Sequence, residues 1–333
     1  HIFVALVYEA YMVPKNLVLP RTAGYSKGPG CSLSLTKILV HYRNTIVGEI
    51  TMAEKEHLEK LKQGVDSWNS WRLENSDIVP DLSDANLQGK DLREANLRRA
   101  NLSGADLRET SFRWGYLSEA NLSAANLRWA DLRETLLDRA NLRDAILHGA
   151  QLVGANLSEA DLRGVFLREA ILRDAILRMA DLRWANLREV DIRWADFSGT
   201  DRRGGGANLR RANLRGSDMR GTNLRWANLS WALLDEAKLI GAELIGTNLS
   251  RAFLEGANLI GADLTGADLS GAFLDNASLM GSNLAEVNLQ GAFLRWSNLR
   301  RGKNLSVKQL SKVTTLYGAE LDEELRKKVE EVV

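Results

Sequence analysis

From Leu82 to Leu299 a large apolar residue returns at every fifth position, with one break after Phe197. The centres number 24 from Leu82 to Phe197 and 19 from Leu209 to Leu299. Leucine fills 39 of these 43, and the others are Phe112, Ile192, Phe197 and Met219. Alanine stands two residues before the centre in 30 of the 43, and polar residues dominate the positions between. Neither regular element can use this period. On an α-helix, residues five apart are rotated by about 140°, which scatters the leucines around the axis. On a straight strand an odd period sends successive leucines to opposite faces. All of them reach one side only if the chain changes direction once per repeat. The pattern therefore predicts a coil with leucine and alanine inside and the remaining positions outside. Burying a leucine is worth about 1.5–3 kcal/mol, so a charge at a centre is costly.

The flanks follow different patterns. Residues 1–51 show no sustained period, carry three of the four prolines and begin with His1. They read as an irregular N-terminal extension, with Met52 a candidate native start. Over 53–75, Leu58, Leu61, Val65, Trp68 and either Trp71 or Leu73 recur at helical spacing, which predicts one amphipathic helix. Pro80 separates it from the first coil. Beyond 302, Ser306 can cap a helix running to Val313, and Asp322 can cap another through Val329. A coil stack has open ends, so both helical flanks read as caps. The expected domains are 52–80 as N-terminal cap and linker, 81–302 as the repeat, broken at 200–206, and 303–333 as C-terminal cap.

The repeat, as it stands in Ala95-Asn96-Leu97-Arg98-Arg99 and Ala257-Asn258-Leu259-Ile260-Gly261, resembles that of the pentapeptide-repeat family. The segment His57–Trp71 and the tail Thr315–Ala319 are similar to flanks of bacterial members. The resemblance implies an all-β solenoid, a right-handed quadrilateral β-helix with four pentapeptides per coil. The repeat count then gives about 11 coils, and at about 4.8 Å per coil a rod roughly 50 Å long. Residues 20 apart become vertical neighbours.

The break lies between Phe197 and Leu209, a step of twelve residues where ten would keep register. The expected middle centre is Arg202, followed by Arg203 and Gly204-Gly205-Gly206. An unpaired arginine should not face an apolar core, so this stretch is expected to leave the coil as a loop. Arg202 and Arg203 are candidate contact residues there, although solenoids commonly tolerate plain insertions in loops. Family members that protect DNA gyrase use loops thrown out of the coil.

Net charge is +1 for the whole chain, and its distribution is uneven. The position after the centre is arginine at 163, 168, 173, 178, 183, 188 and 193, and again at 210, 215, 220 and 225. Residues 163–225 hold 14 basic and 8 acidic side chains, against 10 and 13 in 81–162 and 5 and 8 in 226–302. The arginines circle the coil as a belt, with Glu169, Asp174 and Glu189 beside them. A nucleic-acid groove concentrates charge on one side, so phosphate binding is disfavoured. The resemblance raises a second nucleic-acid role, since gyrase-protecting relatives imitate DNA with a strongly anionic surface. The repeats here carry 29 basic and 29 acidic residues, a departure from that pattern.

The last third differs in placing apolar residues outward at a spacing of 20. Leu233, Phe253, Phe273 and Phe293 lie 20 apart before their centres, and Ile240, Ile260 and Met280 lie 20 apart after theirs. Both sets should form exposed ridges of the kind that contact a partner or a second copy. Stacking along the face is the plainer use of such residues. Trp114, Trp129, Trp184, Trp194, Trp226, Trp231 and Trp296 also point outward, without forming a ladder of their own; Trp184 and Trp194 can shield neighbouring arginines.

Catalytic and cofactor chemistry finds no support. The four histidines have no histidine or cysteine partner at metal-ligand spacing, and the Gly204 run is no phosphate-binding or dinucleotide fingerprint. Asp and Asn before the centres are turn formers. Cys31 is the only cysteine, which fits a reducing cytoplasm, and no apolar run reaches membrane-spanning length. The expectation is a cytoplasmic, non-enzymatic interaction scaffold with no cofactor and no small-molecule substrate. Its partner is an unidentified protein or a second copy. The alternatives are a gyrase-protecting or nucleic-acid-binding role and a purely structural rod or homodimer.

Overall fold

The computed structural model describes residues 56–199 and 205–331. The chain divides into two units, His1–Glu49 and Ile50–Val333. The first unit, the expected extension, lies outside the described residues, as do the candidate start at Met52 and both Arg202 and Arg203.

The repeats form a right-handed quadrilateral β-helix. In each, only the residue before the centre makes a β-bridge, to its equivalent one coil above: Asp81 pairs with Asn101, Asn101 with Asn121, and Asn121 with Asn141, all parallel. Each bridge spans four pentapeptides, so each coil is a square whose sides are single repeats. Corners replace extended strands because the chain turns after every centre. The turn closes by a hydrogen bond from the alanine N–H to the preceding centre's carbonyl, as from Ala145 to Leu142 at 3.0 Å. Its second central residue takes φ near +60°, the value a type II turn requires. That conformation suits glycine, yet many side chains adopt it here, with φ between 52° and 65°. The Asn or Asp before the centre supports the turn from outside: the side chain of Asp161 accepts from the Arg163 N–H at 3.2 Å.

Inside, the centres from Leu97 to Leu279 are buried to within 1% and alanines fill the space between them. Where threonine replaces alanine its hydroxyl is satisfied. Thr110 and Thr135 donate to the carbonyls of Leu87 and Phe112 at 2.8 and 2.9 Å. A buried hydroxyl without a partner would be costly.

The bridges fix the register across the break. Asp196 pairs with Asn223 and Asp181 with Asn208, each bridge longer than the regular step by the same seven positions. Phe197 and Leu209 are therefore the centres of consecutive faces. No face of the square is lost across the break. Seven residues are instead inserted into one turn. The Ala207 N–H still donates to the Phe197 carbonyl at 2.9 Å, which closes the turn across the insertion. Gly199 and Gly206 N–H bond to the coil above, to Arg225 and Trp226 carbonyls at 3.1 and 2.9 Å.

Both ends differ in detail from the prediction. The expected single helix over 53–75 is two helical segments, 56–62 and Val65–Glu74, parted at Gly64, whose φ of 108° no helix accommodates. Trp68 and Leu61 are buried against the first coil, and of the two alternatives Trp71 packs on it while Leu73 is 80% exposed. The Trp68 indole donates to the Asn96 carbonyl at 2.9 Å, the Asn96 N–H donates to Asn69 Oδ1 at 2.8 Å, and Arg72 Nη2 donates to the Arg98 carbonyl at 3.2 Å. Side chains thus occupy the backbone sites that a preceding coil would fill.

At the other end, Ser306 caps as expected, its hydroxyl accepting from the Gln309 N–H at 3.3 Å, but the helix is only Val307–Leu310. It stops short of Val313 because the coil resumes. Thr315 pairs with Phe293 and Glu320 with Asn298, and the Ala319 N–H closes a turn on the Leu316 carbonyl at 2.9 Å. The expected boundary at 302 therefore moves: the tail Thr315–Ala319 is itself a pentapeptide of the coil. Asp322 precedes the helix Glu323–Glu330, yet its carboxylate accepts from the Arg301 N–H at 2.9 Å and does not cap the helix.

Candidate interaction face

One side of the square carries the stacked column Leu233, Phe253, Phe273 and Phe293. Their bridges join Leu233 to Phe253, Phe253 to Phe273 and Phe273 to Phe293. The phenyl rings stack with centroids 4.9 Å apart at both steps and planes inclined by 10° and 6°. Each ring covers its neighbours' faces and leaves its rim in solvent, so all four side chains are half-buried. The ladder ends on Thr315, in the resumed coil.

Downwards the same column continues through Asn213 and Asn186 to Phe166 and Ile146. Phe166 is 49% exposed. Sequence spacing missed both residues, because the insertion lengthens the step from Asn186 to Asn213 beyond four repeats. Across the buried centres of this side runs a parallel column of charge. It is acidic beside the first three rungs of the ladder, at Asp235, Glu255 and Asp275, turns basic at Arg295 beside Phe293, and is basic below the ladder, at Arg168, Arg188 and Arg215.

Ile240, Ile260 and Met280 do not join this surface. They follow Leu239, Leu259 and Leu279, the centres of the next side, and form a separate half-exposed column there. The tryptophans, which form no ladder of their own, each lean on the coil above. The rings of Trp129 and Trp194 occupy the space a Cβ would need at Gly149 and Gly221. The Trp114 indole donates to Glu134 at 3.0 Å. Trp184 does meet an arginine, but one from the coil above: the Arg211 guanidinium lies 4.7 Å from its ring centre, and Arg251 lies 5.0 Å from Trp231.

The arginine belt is largely neutralised within itself. In each Asp-Leu-Arg repeat the arginine folds back over its own aspartate. Arg183 and Arg220 reach Asp181 and Asp218 at 2.6 and 2.7 Å, and Arg163 grips Asp161 in the same two-pronged way. The hydrogen bond from Arg163 holds the Asp161 carboxyl below the usual carboxylate range, and Arg133 does the same to Asp131. Other arginines reach the next coil, as Arg178 to Asp196 at 2.6 Å and Arg225 to Glu243 at 3.0 Å. Of the acids expected to relieve repulsion, Glu169 and Glu189 pair with Arg168 and Arg188, both at 3.2 Å. Arg173 turns away from Asp174 to Asp191 at 3.3 Å. The signal for this was present in the sequence as Asp two residues before Arg.

Among the described residues no group of His, Cys, Asp and Glu could hold a metal ion, and no helix is long and apolar enough to cross a membrane.

The pentapeptide-repeats family profile matches eight times between residues 81 and 301, including 81–113, 120–158, 167–201 and 262–301. Among solved structures, HetL of the cyanobacterium Nostoc sp. strain PCC 7120, a pentapeptide repeat protein involved in heterocyst differentiation regulation, is 37% identical. The match covers 63% of this chain and 91% of HetL, with a TM-score of 0.61. Rfr23 of the cyanobacterium Cyanothece 51142 is 28% identical over 41% of this chain and 84% of its own, with a TM-score of 0.22. QnrB1, a plasmid-mediated fluoroquinolone resistance protein, is 18% identical over 74% and 94%, with a TM-score of 0.30. No curated protein matches the sequence significantly.

Proposed function

Because the chain belongs to the pentapeptide-repeat family, we propose that it works as a non-enzymatic protein-interaction scaffold, docking a protein on the face that bears Leu233, Phe253, Phe273 and Phe293. The observation that carries this reading is the stacked phenylalanine ladder. Stacking fixes the rings without burying them, so a partner meets a flat apolar surface already ordered, and little conformational entropy is lost on contact. Contiguous exposed apolar patches of this kind mark interaction sites. The pairing of arginine with aspartate within the belt favours protein contact over phosphate binding, since few of its guanidinium groups stand free of a carboxylate. HetL, to which the chain is similar, is itself a pentapeptide repeat protein involved in heterocyst differentiation regulation. A working place in the cytoplasm agrees with a single cysteine.

Retention of proteins by the immobilised chain tests the reading. Phe253→Lys with Phe273→Lys should release a protein that Ile260→Lys, on the next side, retains. Identical retention by all three chains would sink the proposal. So would DNA binding at low salt that weakens steeply as salt is raised.

A further inference from the structure

The side that bears the ladder is complementary to itself, and we propose that its partner is a second copy of this chain, lying antiparallel and face to face. The inference rests on the docking reading above and names the docked protein. The rungs of the column run Ile146, Phe166, Asn186, Asn213, Leu233, Phe253, Phe273, Phe293. A two-fold axis across the rod, between the rungs of Asn213 and Leu233, lays each rung of one copy on its mirror rung in the other. The first rungs out from the axis set Asp235 against Arg215. The second set Glu255 against Arg188. The third set Asp275 against Arg168 and, in the same register, Phe273 against Phe166. The fourth set Phe293 against Ile146. One axis position therefore aligns three opposite charges and two apolar pairs, and each contact occurs twice, as an isologous interface requires.

The two edges of the face obey the same axis. Two residues before the column, Arg211 comes opposite Trp231 and Trp184 opposite Arg251. With the contacts already made within each chain, at 4.7 and 5.0 Å, these close a four-membered cation–π ring across the two copies. Along the far edge Glu236 faces Gly216 and Glu189 faces Gly256, while Glu169 faces Asn276 and Trp296 comes opposite Gly149, where the Trp129 ring already lies. The remaining pairs set Leu233 against Asn213, Phe253 against Asn186 and Arg295 against His148, and no two carboxylates are brought opposite one another.

The charges are within reach of a partner. The side chains of Arg168, Arg188 and Arg215 are 48%, 53% and 49% exposed. Glu255 is exposed and makes no ion pair among the described residues. Arg215 and Arg295 hold Asp235 and Asp275 within the chain at 2.7 and 2.6 Å. Exposed pairs of this kind are weak and can be shared across an interface. Eight rungs at about 4.8 Å each make a contact strip roughly 38 Å long.

Sedimentation of the full chain at micromolar concentration should give twice the chain mass. Glu255→Arg and Arg188→Glu should each halve it, and the two together should restore it, because the swap rebuilds both pairs. A monomer in every case, or a dimer indifferent to both reversals, overturns the proposal. The register has its own test in a Cys31→Ser background. A mixture of Phe166→Cys and Phe273→Cys chains should form a disulfide-linked dimer on mild oxidation, and Phe273→Cys alone should not. A link formed by Phe273→Cys alone would put ladder on ladder and overturn the arrangement. A monomer whose retention of another protein depends on Phe253 and Phe273 removes self-association and leaves the docking face. A dimer whose mass survives Phe253→Lys with Phe273→Lys removes both.

Discussion

The two ends of the solenoid solve one problem with different materials. A coil stack ends in backbone groups that lack the next coil. At the lower end, side chains of the helix Val65–Glu74 stand in for it, with Trp68, Asn69 and Arg72 bonding to Asn96 and Arg98. At the upper end, the chain leaves the coil for the short helix Val307–Leu310 and comes back to supply real backbone from Thr314 to Glu320. Side chains act there too, as the Gln309 amide donates to the Leu284 carbonyl at 2.8 Å and the Val287 carbonyl at 3.2 Å, and the Asp322 carboxylate accepts from the Arg301 N–H. A cap made of side chains depends on a few residues, whereas a cap made of backbone depends on almost none in particular.

That contrast can be broken first at Trp68. Trp68→Ala should lower stability by about 3–5 kcal/mol, the usual cost of emptying a buried aromatic site. Hydrogen exchange should show the loss of protection concentrated in residues 81–99, since solenoid coils depend on their nearest neighbours. Uniform loss along the rod would show that the helix is no local cap. Gln309→Ala should cost less, about 1–3 kcal/mol, because the Val287 carbonyl loses its donor while the Leu284 carbonyl keeps the Val287 N–H. Its effect on chemical denaturation should stay at the upper end.

The comparison sharpens where both halves share a feature. Glu159 holds φ of 59° in its turn. Glu159→Gly should raise the midpoint of thermal unfolding, by a stability gain of about 1 kcal/mol, because glycine adopts this conformation without steric cost. An unchanged or lower midpoint would mean that the glutamate side chain contributes more than the turn loses. The smallest effect is electrostatic. Asp131 and Asp161 are held below the usual carboxylate range by hydrogen bonds from Arg133 and Arg163. Their contribution is present above the unfolded value of about 4, and it is lost as pH falls through the lower folded values. Asp131→Asn with Asp161→Asn should flatten the acid limb of stability against pH and leave the neutral region little changed.

Fold and site were unequally legible in the sequence. The five-residue period needs only counting, because each leucine reports its own burial and the resemblance supplies the square. The ladder Leu233–Phe293 was equally plain, since every step in it is the regular four repeats. Phe166 and Ile146 were hidden by one insertion: counted in regular steps from Phe166, the column arrives at Gly206 and never meets Phe253. The step from Phe293 to Thr315, two positions too long, concealed the resumed coil in the same way. Arg163 and Asp161 looked like a belt and its neighbours because their pairing depends on the turn that brings the residues flanking a centre together. Register over long distances was lost, while chemistry within one repeat was readable and went unread.

The seven-residue insertion also bears on mechanics. Coils joined by short parallel bridges and loaded along the rod are strained one after another, so a chain pulled by its ends should give way coil by coil. Each ordinary coil releases four pentapeptides, or roughly 70 Å of contour at about 3.5 Å per residue. The coil that carries the insertion releases seven positions more, a step longer by roughly 25 Å. In a force–extension trace that single long step would mark position along the molecule, much as a knot marks length on a rope.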